Sequence, residues 1–423
     1  MSEYPAVITL CHQARQAAAI LAHIPTAEKN RALHAMADVL WKERAAILAA
    51  NQADLEAARA AGLSEAMLDR LMLNEKRLQG ILNDLRQVSE LPDPAGELME
   101  EKILPNGLHL RKVRVPLGVL AVIYEARPNV TVDVAGLALK SGNCVILRGG
   151  SETIRSNRAL AAAIQHGLQG TNIPREAIQL IEDTDRQRVL ELLQQDQTVD
   201  LVLPRGGASL HEFCRQNSRI PVVTGGMGIC HLYVDASADL ERALPVIENA
   251  KVQRPSVCNA LDTVLVHPAV AERFLPKLVE KLRADGVTFR ADPEACRILL
   301  PQCADCVLPA GEQDFDTEWL SLVLGLKVVV NVTEAIEHIA AHSTGHSDGI
   351  LAHDPEAIRE FVEKVDSAAV YVNASTRFTD GAQMGLGAEI AVSTQRLHAR
   401  GPMGLRELTT YKWIIEGDYS VRG

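Results

Sequence analysis

Between Val119 and Leu203 short apolar runs alternate with stretches of helical spacing, and that alternation leaves few architectures open to the chain. Val119–Ile123, Cys144–Leu147, Ile178–Ile181 and Leu201–Leu203 read as buried strands. Val130–Leu139, Ser156–Gly167 and Arg186–Leu193 read as the helices that separate them. Short strands alternating with helices of ten or so residues predict right-handed βαβ units around a parallel sheet. A sheet of this kind binds ligands beyond the carboxyl ends of its strands. A second alternation starts near Cys230 and runs through Val264–Val266, Lys327–Val330, Ala335–Ala341 and Ala369–Val372. It predicts another α/β unit.

The flanks read differently. The first ninety residues are helical in pattern, with Leu33, Met36, Ala37, Leu40, Ile47 and Leu48 on one face and Pro25-Thr26 as a start. Leu91 to Gly96 breaks the pattern. Ile103 to Val115 reads as two strands around the Asn106-Gly107 turn. The tail, Leu408–Ile415, is strand-like and is expected to pair with that hairpin or with another subunit.

A chain of 423 residues with 47% hydrophobic content can bury a large core, and at about 100–200 residues per domain it should hold two or three domains. The net charge of −11 argues against a nucleic-acid surface or an anionic membrane as partner, so an anionic substrate needs a local cationic pocket. Eight cysteines are scattered without a dense framework, which fits a reducing cytoplasm. The N-terminus lacks the basic and apolar regions of a signal peptide, and no apolar run approaches a bilayer's width. The expectation is a soluble, cytoplasmic protein.

The residue that points to chemistry is Cys258, in the run Gln253-Arg254-Pro255-Ser256-Val257-Cys258-Asn259-Ala260. It falls on a loop between a helix-like stretch, Ala238–Lys251, and a strand-like one, Asp262–His267. A thiol beside a cation gains thiolate character, and rigidly held loops are where chemistry tends to sit. A buried, inert thiol would instead be part of an apolar face.

Three glycine turns accompany it. Arg148, Gly149, Gly150, Ser151 and Glu152 follow a strand and precede a helix, where glycines admit a close ligand and a helix start favours anions. Arg205, Gly206 and Gly207 repeat that order, although an ordinary βα turn would read the same way. Thr224-Gly225-Gly226-Met227-Gly228 is either an interdomain hinge or a close approach to a cofactor. Cys303-Ala304-Asp305-Cys306 lacks the further ligands that zinc needs, and no metal is expected. His338, His342, His346 and His353, in a helix and the loop after it, read as solvated surface.

Taken in order, the runs Val119–Asp133, Leu139–Asn143, Arg148–Glu152, Pro204–Gly207, the cysteine segment and Gly385–Gln395 resemble the aldehyde dehydrogenase superfamily. Within it they resemble the branch of γ-glutamyl phosphate reductases over essentially the whole chain. The resemblance implies a Rossmann-type cofactor domain (1–96 and 117–226), a second α/β catalytic domain (227–403), and a small β oligomerisation element (97–116 and 404–423). It implies NADPH-dependent reduction of glutamyl 5-phosphate to glutamate 5-semialdehyde through a thioester on Cys258, the second step of proline biosynthesis from glutamate. Asn129 and the Cys258 N–H are then the oxyanion donors. Arg148 matches the position at the adenosine ribose, where a guanidinium favours NADP(H), and Glu318 the position at the nicotinamide ribose.

Arg254, Asn373, Ser375, Thr376 and Arg377 are the candidates for binding the substrate's anionic groups. Ordinary aldehyde dehydrogenases carry a water-activating glutamate before this Gly-Gly, whereas Val222-Val223-Thr224 offers no carboxylate. A reductase must keep water off its thioester, so the loss suits the chemistry. A homodimer or homotetramer is implied, and a transient contact with glutamate 5-kinase follows from the lability of an acyl phosphate. Two other readings stand beside this one: a dehydrogenase or coenzyme A-acylating relative with another aldehyde, and a non-catalytic protein that keeps the fold.

Overall fold

The computed structural model describes residues 4–225 and 227–422. The chain divides into two compact units, residues 1–224 with 385–391 and 403–423, and residues 225–384 with 392–402.

The first unit opens with five helices, among them Thr26–Lys42 and Arg44–Ala60. The helical pattern read from Leu33 onwards therefore breaks at Glu43. Leu33, Met36, Ala37, Leu40 and Ile47 are all buried. The parallel sheet follows, ordered Ile178–Leu180, Cys144–Gly149, Val119–Tyr124, Leu201–Arg205. Its two central strands are buried along their whole length, as expected when helices cover both faces. The order reverses at Val119–Tyr124: the chain moves one way to Cys144–Gly149 and later returns to the other side. The loops after Tyr124 and Arg205 therefore diverge, which is where such sheets open a ligand crevice.

The hairpin strands are Leu98–Ile103 and His109–Pro116, and the tail strand Thr409–Glu416 pairs antiparallel with the second of them. Asn143 ties this return to the sheet. Its Oδ1 accepts from Gly118 N at 2.8 Å, and its Nδ2 donates to the Leu408 carbonyl at 2.8 Å.

The second unit holds a seven-stranded sheet whose ladders are all parallel, ordered Val307–Pro309, Thr288–Ala291, Val323–Val328, Leu261–Val266, Cys230–Val234, Ser347–Leu351, Ala369–Val372. Helices such as Leu240–Val252 and Pro268–Arg283 bury Ile247, Phe274, Leu278 and Leu282 against it.

The expected solvation of the histidines is corrected for two of the four. His338 and His346 are buried, and burial holds their rings far below the ordinary histidine range, at about 2 and about 4. His338 lies on the inward face of Val332–His342, where its ring meets Phe315 and His231 edge to face. No helix is long and apolar enough to cross a membrane among the described residues, and no group of three or more potential metal ligands occurs among them.

Candidate active site

Cys258 is half-buried on the loop between Leu240–Val252 and Leu261–Val266, and so lies at the amino-terminal end of the sheet. The carboxyl-end rule fits the first unit's crevice but not this loop. Both sides of the thiol are braced. The Asn259 amide donates to the carbonyls of Thr379 (2.9 Å) and Arg377 (3.4 Å), and Thr376 Oγ1 donates to the Asn259 carbonyl at 2.7 Å. The buried Cys230 thiol donates to the Cys258 carbonyl at 3.3 Å. Burial pushes that second thiol well above its ordinary range, which leaves it a donor rather than a nucleophile.

Gly228 presses on the same carbonyl. A Cβ built at this position would fall 1.6 Å from the Cys258 oxygen, so only glycine fits. The Gly228 N–H donates to Glu318 Oε1 at 2.9 Å. Burial, aided by the neighbouring Asp262 charge and opposed by this hydrogen bond, pushes the Glu318 carboxyl up to about 7. The Glu318 carboxylate and the Cys258 loop are thus linked through the backbone of Gly228. The sequence showed Gly228 only as the end of a glycine-rich turn and gave Cys230 no role; the close approach of two chain segments marks both.

The five proposed substrate binders separate into two kinds. Asn373 has φ +54°, and its amide pairs with both the N–H and the carbonyl of Ala352 at 2.9 Å. That side chain braces the ends of two neighbouring strands. Thr376 is fully buried on Asn259, and Ser375 is buried with its Oγ accepting from Arg377 N at 3.3 Å. Both brace the loop that carries Arg377. Arg377 is half-buried, and its Nε donates to Gln253 Oε1 at 3.0 Å. Arg254, next to Gln253, is exposed.

In the first unit the glycine turns lie at the strands' carboxyl ends. Arg148 is buried and donates to the carbonyls of Gly149 (2.8 Å) and Thr184 (2.7 Å), while its Nε has no hydrogen-bond partner among the described residues. A Cβ on Gly149 would meet Asn157 Nδ2 at 2.1 Å, so that glycine serves internal packing. Gly150 is closed by the Glu152 carboxylate and Gly206 by the Glu125 carboxylate. Glu152 accepts from Ala126 N at 2.7 Å, and Glu125 from Gly207 N at 3.2 Å. Gly207 itself faces open space. Ser151 and Glu152 begin the turn that leads into helix Ile154–Leu168, and Arg205 ends its strand half-buried.

Asn129 is the first residue of helix Asn129–Lys140, and its Nδ2 donates to Asp133 Oδ2 at 2.8 Å. Burial pushes the Asp133 carboxyl up to about 6. In the second unit, a Cβ on Gly225 would meet the Val392 carbonyl at 2.2 Å, so the chain's own strand explains that glycine. Gly226 lies outside the described residues.

The model of the aldehyde dehydrogenase family matches residues 4–294. A γ-glutamyl phosphate reductase of Photobacterium profundum is 56% identical over 97% of this chain and 98% of that protein. The crystal structure of a γ-glutamyl phosphate reductase from Thermotoga maritima superposes with a TM-score of 0.97, at 48% identity, covering 99% of this chain and 100% of that one. An engineered glycolyl-CoA reductase with bound NADP⁺ shares the fold alone, at a TM-score of 0.70 and 16% identity over 98% of this chain and 97% of that one. The alternation of strands and helices, the braced loop cysteine and near-full-length identity agree: the chain belongs to the γ-glutamyl phosphate reductase family, within the aldehyde dehydrogenases.

Proposed function

We propose that the chain reduces L-glutamyl 5-phosphate to L-glutamate 5-semialdehyde with NADPH, releasing phosphate, through a thioester on Cys258. The observation that carries this reading is identity of 56% to a reductase of that name over 97% of the chain, joined to a half-buried thiol fixed on both sides.

The Cys258 thiolate attacks the acyl carbon; the C–S bond forms, the C–O bond to phosphate breaks, and phosphate leaves with the electron pair. Phosphate is a good leaving group, so no strong general acid is required. Bound NADPH would supply the hydride that reduces the thioester. The resulting thiohemiacetal anion is stabilised by the Cys258 N–H, and Asn129, whose Nδ2 bonds Asp133, keeps a second amide hydrogen for the donor role that the resemblance gives it. Collapse of that anion breaks the C–S bond, regenerates the thiolate and frees the aldehyde. Val223 stands where a hydrolytic relative would place its base and cannot activate water.

A dinucleotide suits the first unit. The sheet reverses order beside two glycine loops, Gly207 faces open space, and the buried Arg148 Nε lacks a partner among the described residues. Arg148 with Gly149 to Glu152 would hold the adenosine ribose and its 2′-phosphate, and Arg205 to Gly207 the pyrophosphate. Glu318 would accept from the nicotinamide ribose. In place of the family's hydrolytic outcome, the product is the free aldehyde, and the reaction runs in a cytoplasmic biosynthetic route.

The test is to trap the acyl-enzyme. Native protein given glutamyl phosphate without NADPH should gain the glutamyl mass on the peptide containing Cys258, and Cys258→Ser should gain none while still binding NADPH. A full rate of turnover in Cys258→Ser would end the thioester reading.

A further inference from the structure

Arg254 and Arg377 are tied to the two sides of the nucleophile loop. Arg254 stands four residues before Cys258, beside the Gln253 side chain that accepts from Arg377 Nε at 3.0 Å. On the other side, the Arg377 carbonyl accepts from the Asn259 amide at 3.4 Å, and its neighbour Thr376 donates to the Asn259 carbonyl at 2.7 Å. The guanidinium of Arg377 is therefore placed relative to residues both before and after the thiol. Neither arginine forms a salt bridge among the described residues; the nearby Asp380 is engaged by the N–H groups of Ala382 and Gln383.

Burial first, and then the Arg254 charge, lowers the Arg377 guanidinium from its ordinary value, while Cys258 and Asp380 act the other way. Asp380 is the nearby carboxylate but bridges neither arginine among the described residues, so the two cations carry a cost that an arriving anion offsets. The thiol within their field supplies one such anion when ionised. The substrate supplies another.

We propose that the Arg254–Arg377 pair receives the phosphoryl group of the acyl phosphate, and not the carboxylate at the far end of the molecule, and that it stabilises the Cys258 thiolate before substrate binds. This rests on the reading of Cys258 as the nucleophile. The phosphoryl oxygen is bonded to the carbon that sulfur attacks, so it is the substrate anion that comes nearest the thiol loop, where Arg377 bonds residues on both sides of Cys258. The planar fork of a guanidinium matches a phosphate with paired hydrogen bonds. As the C–S bond forms and the C–O bond breaks, the departing electron pair moves onto an oxygen already held by the arginines. In the reverse direction the same pair positions inorganic phosphate for attack on the thioester.

The probe is inorganic phosphate, and the readout is alkylation of Cys258 by iodoacetamide, followed by intact mass on the full chain without cofactor. Phosphate should slow alkylation of the native protein in a saturable way. Arg254 is exposed and forms no salt bridge among the described residues, so Arg254→Gln should spare the fold and weaken that protection about tenfold or more, the loss of a charge-assisted bond. Arg377→Lys keeps the charge but loses the fork and the Gln253 bond; it should weaken protection by a similar factor. Arg254→Gln should shift the pH midpoint of alkylation upward, and both variants should raise KM for phosphate in the reverse reaction while leaving KM for the semialdehyde within about twofold. Native alkylation indifferent to phosphate would overturn the proposal, as would variants that raise KM for the semialdehyde alone. Because the alkylation arm needs no turnover, it stays separate from the thioester reading, which stands or falls with acyl trapping and Cys258→Ser.

Discussion

Replacing Gly228 with alanine should cripple catalysis while sparing most of the fold. The added Cβ would lie 1.6 Å from the Cys258 carbonyl oxygen and 2.6 Å from its carbon. An ordinary carbon–oxygen approach is about 3.3 Å, so the two backbones must separate by roughly 1.7 Å. The obstacle is main chain, which cannot swing aside as a side chain would. The Cys258 carbonyl is also the acceptor for the Cys230 thiol, so its displacement breaks that bond and re-aims the nucleophile. A misplacement of about 1 Å costs on the order of a hundredfold in rate, so Gly228→Ala should lower kcat by about that factor or more. Overpacking should lower stability by roughly 1–3 kcal/mol, because the rest of the sheet is untouched. The assay pairs kcat with the iodoacetamide reactivity of Cys258 and with thermal unfolding. An alanine variant with native kcat and native thiol reactivity would show that the Gly228–Cys258 contact does not position the nucleophile. Loss of cooperative unfolding would show that it supports the whole unit.

Two further outcomes follow from individual side chains. Arg148→Ala should weaken NADPH much more than NADH in equilibrium titration, since the guanidinium is the group assigned to the 2′-phosphate; equal weakening of the two would remove that role. Glu318 titrates at about 7 in the fold, above its ordinary value of 4.5, because burial disfavours the charged form. An acid raised in this way contributes stability that is present at low pH and is lost as pH rises through about 7. Glu318→Gln should therefore flatten the fall in stability between about pH 5 and about pH 8, measured by denaturant unfolding across that window. An unchanged slope would mean that the carboxyl is ionised in the fold throughout.

The two α/β units were legible because their strands are apolar runs bounded by turns, and most observed ends fall within a residue or two of the expected ones. The strands that escaped, Thr288–Ala291, Val307–Pro309 and Ser347–Leu351, are short or locally unlike strands. Ser347-Asp348-Gly349 is polar in sequence yet fully buried: Asp348 accepts from the backbone and ring of His231, and from Ser343. A Cβ on Gly349 would meet Leu232 at 2.8 Å and Tyr371 at 2.9 Å. That strand exists because of its neighbours, and no local pattern could announce it. The same cause hid the burial of His338 and His346, since a histidine's surroundings are set by elements distant in sequence.

The Cys258 loop drew notice through its own residues, Arg254 and Cys258, and through the family they resemble. Its supports did not. Cys230 and Thr376 act through bonds to backbone carbonyls that sequence does not display, and Gly228 showed only as part of a glycine-rich turn, with no sign of its approach to Cys258.

The central claim, an acyl phosphate made and broken at Cys258, is tested most directly by running the reaction backwards. Glutamate 5-semialdehyde and NADP⁺ are mixed with the enzyme, and NADPH formation is followed by absorbance with and without inorganic phosphate. The account predicts a rate that requires phosphate and saturates with it. A rate indifferent to phosphate would mean that water or another acceptor resolves the thioester, and would contradict the assignment as an acyl phosphate reductase.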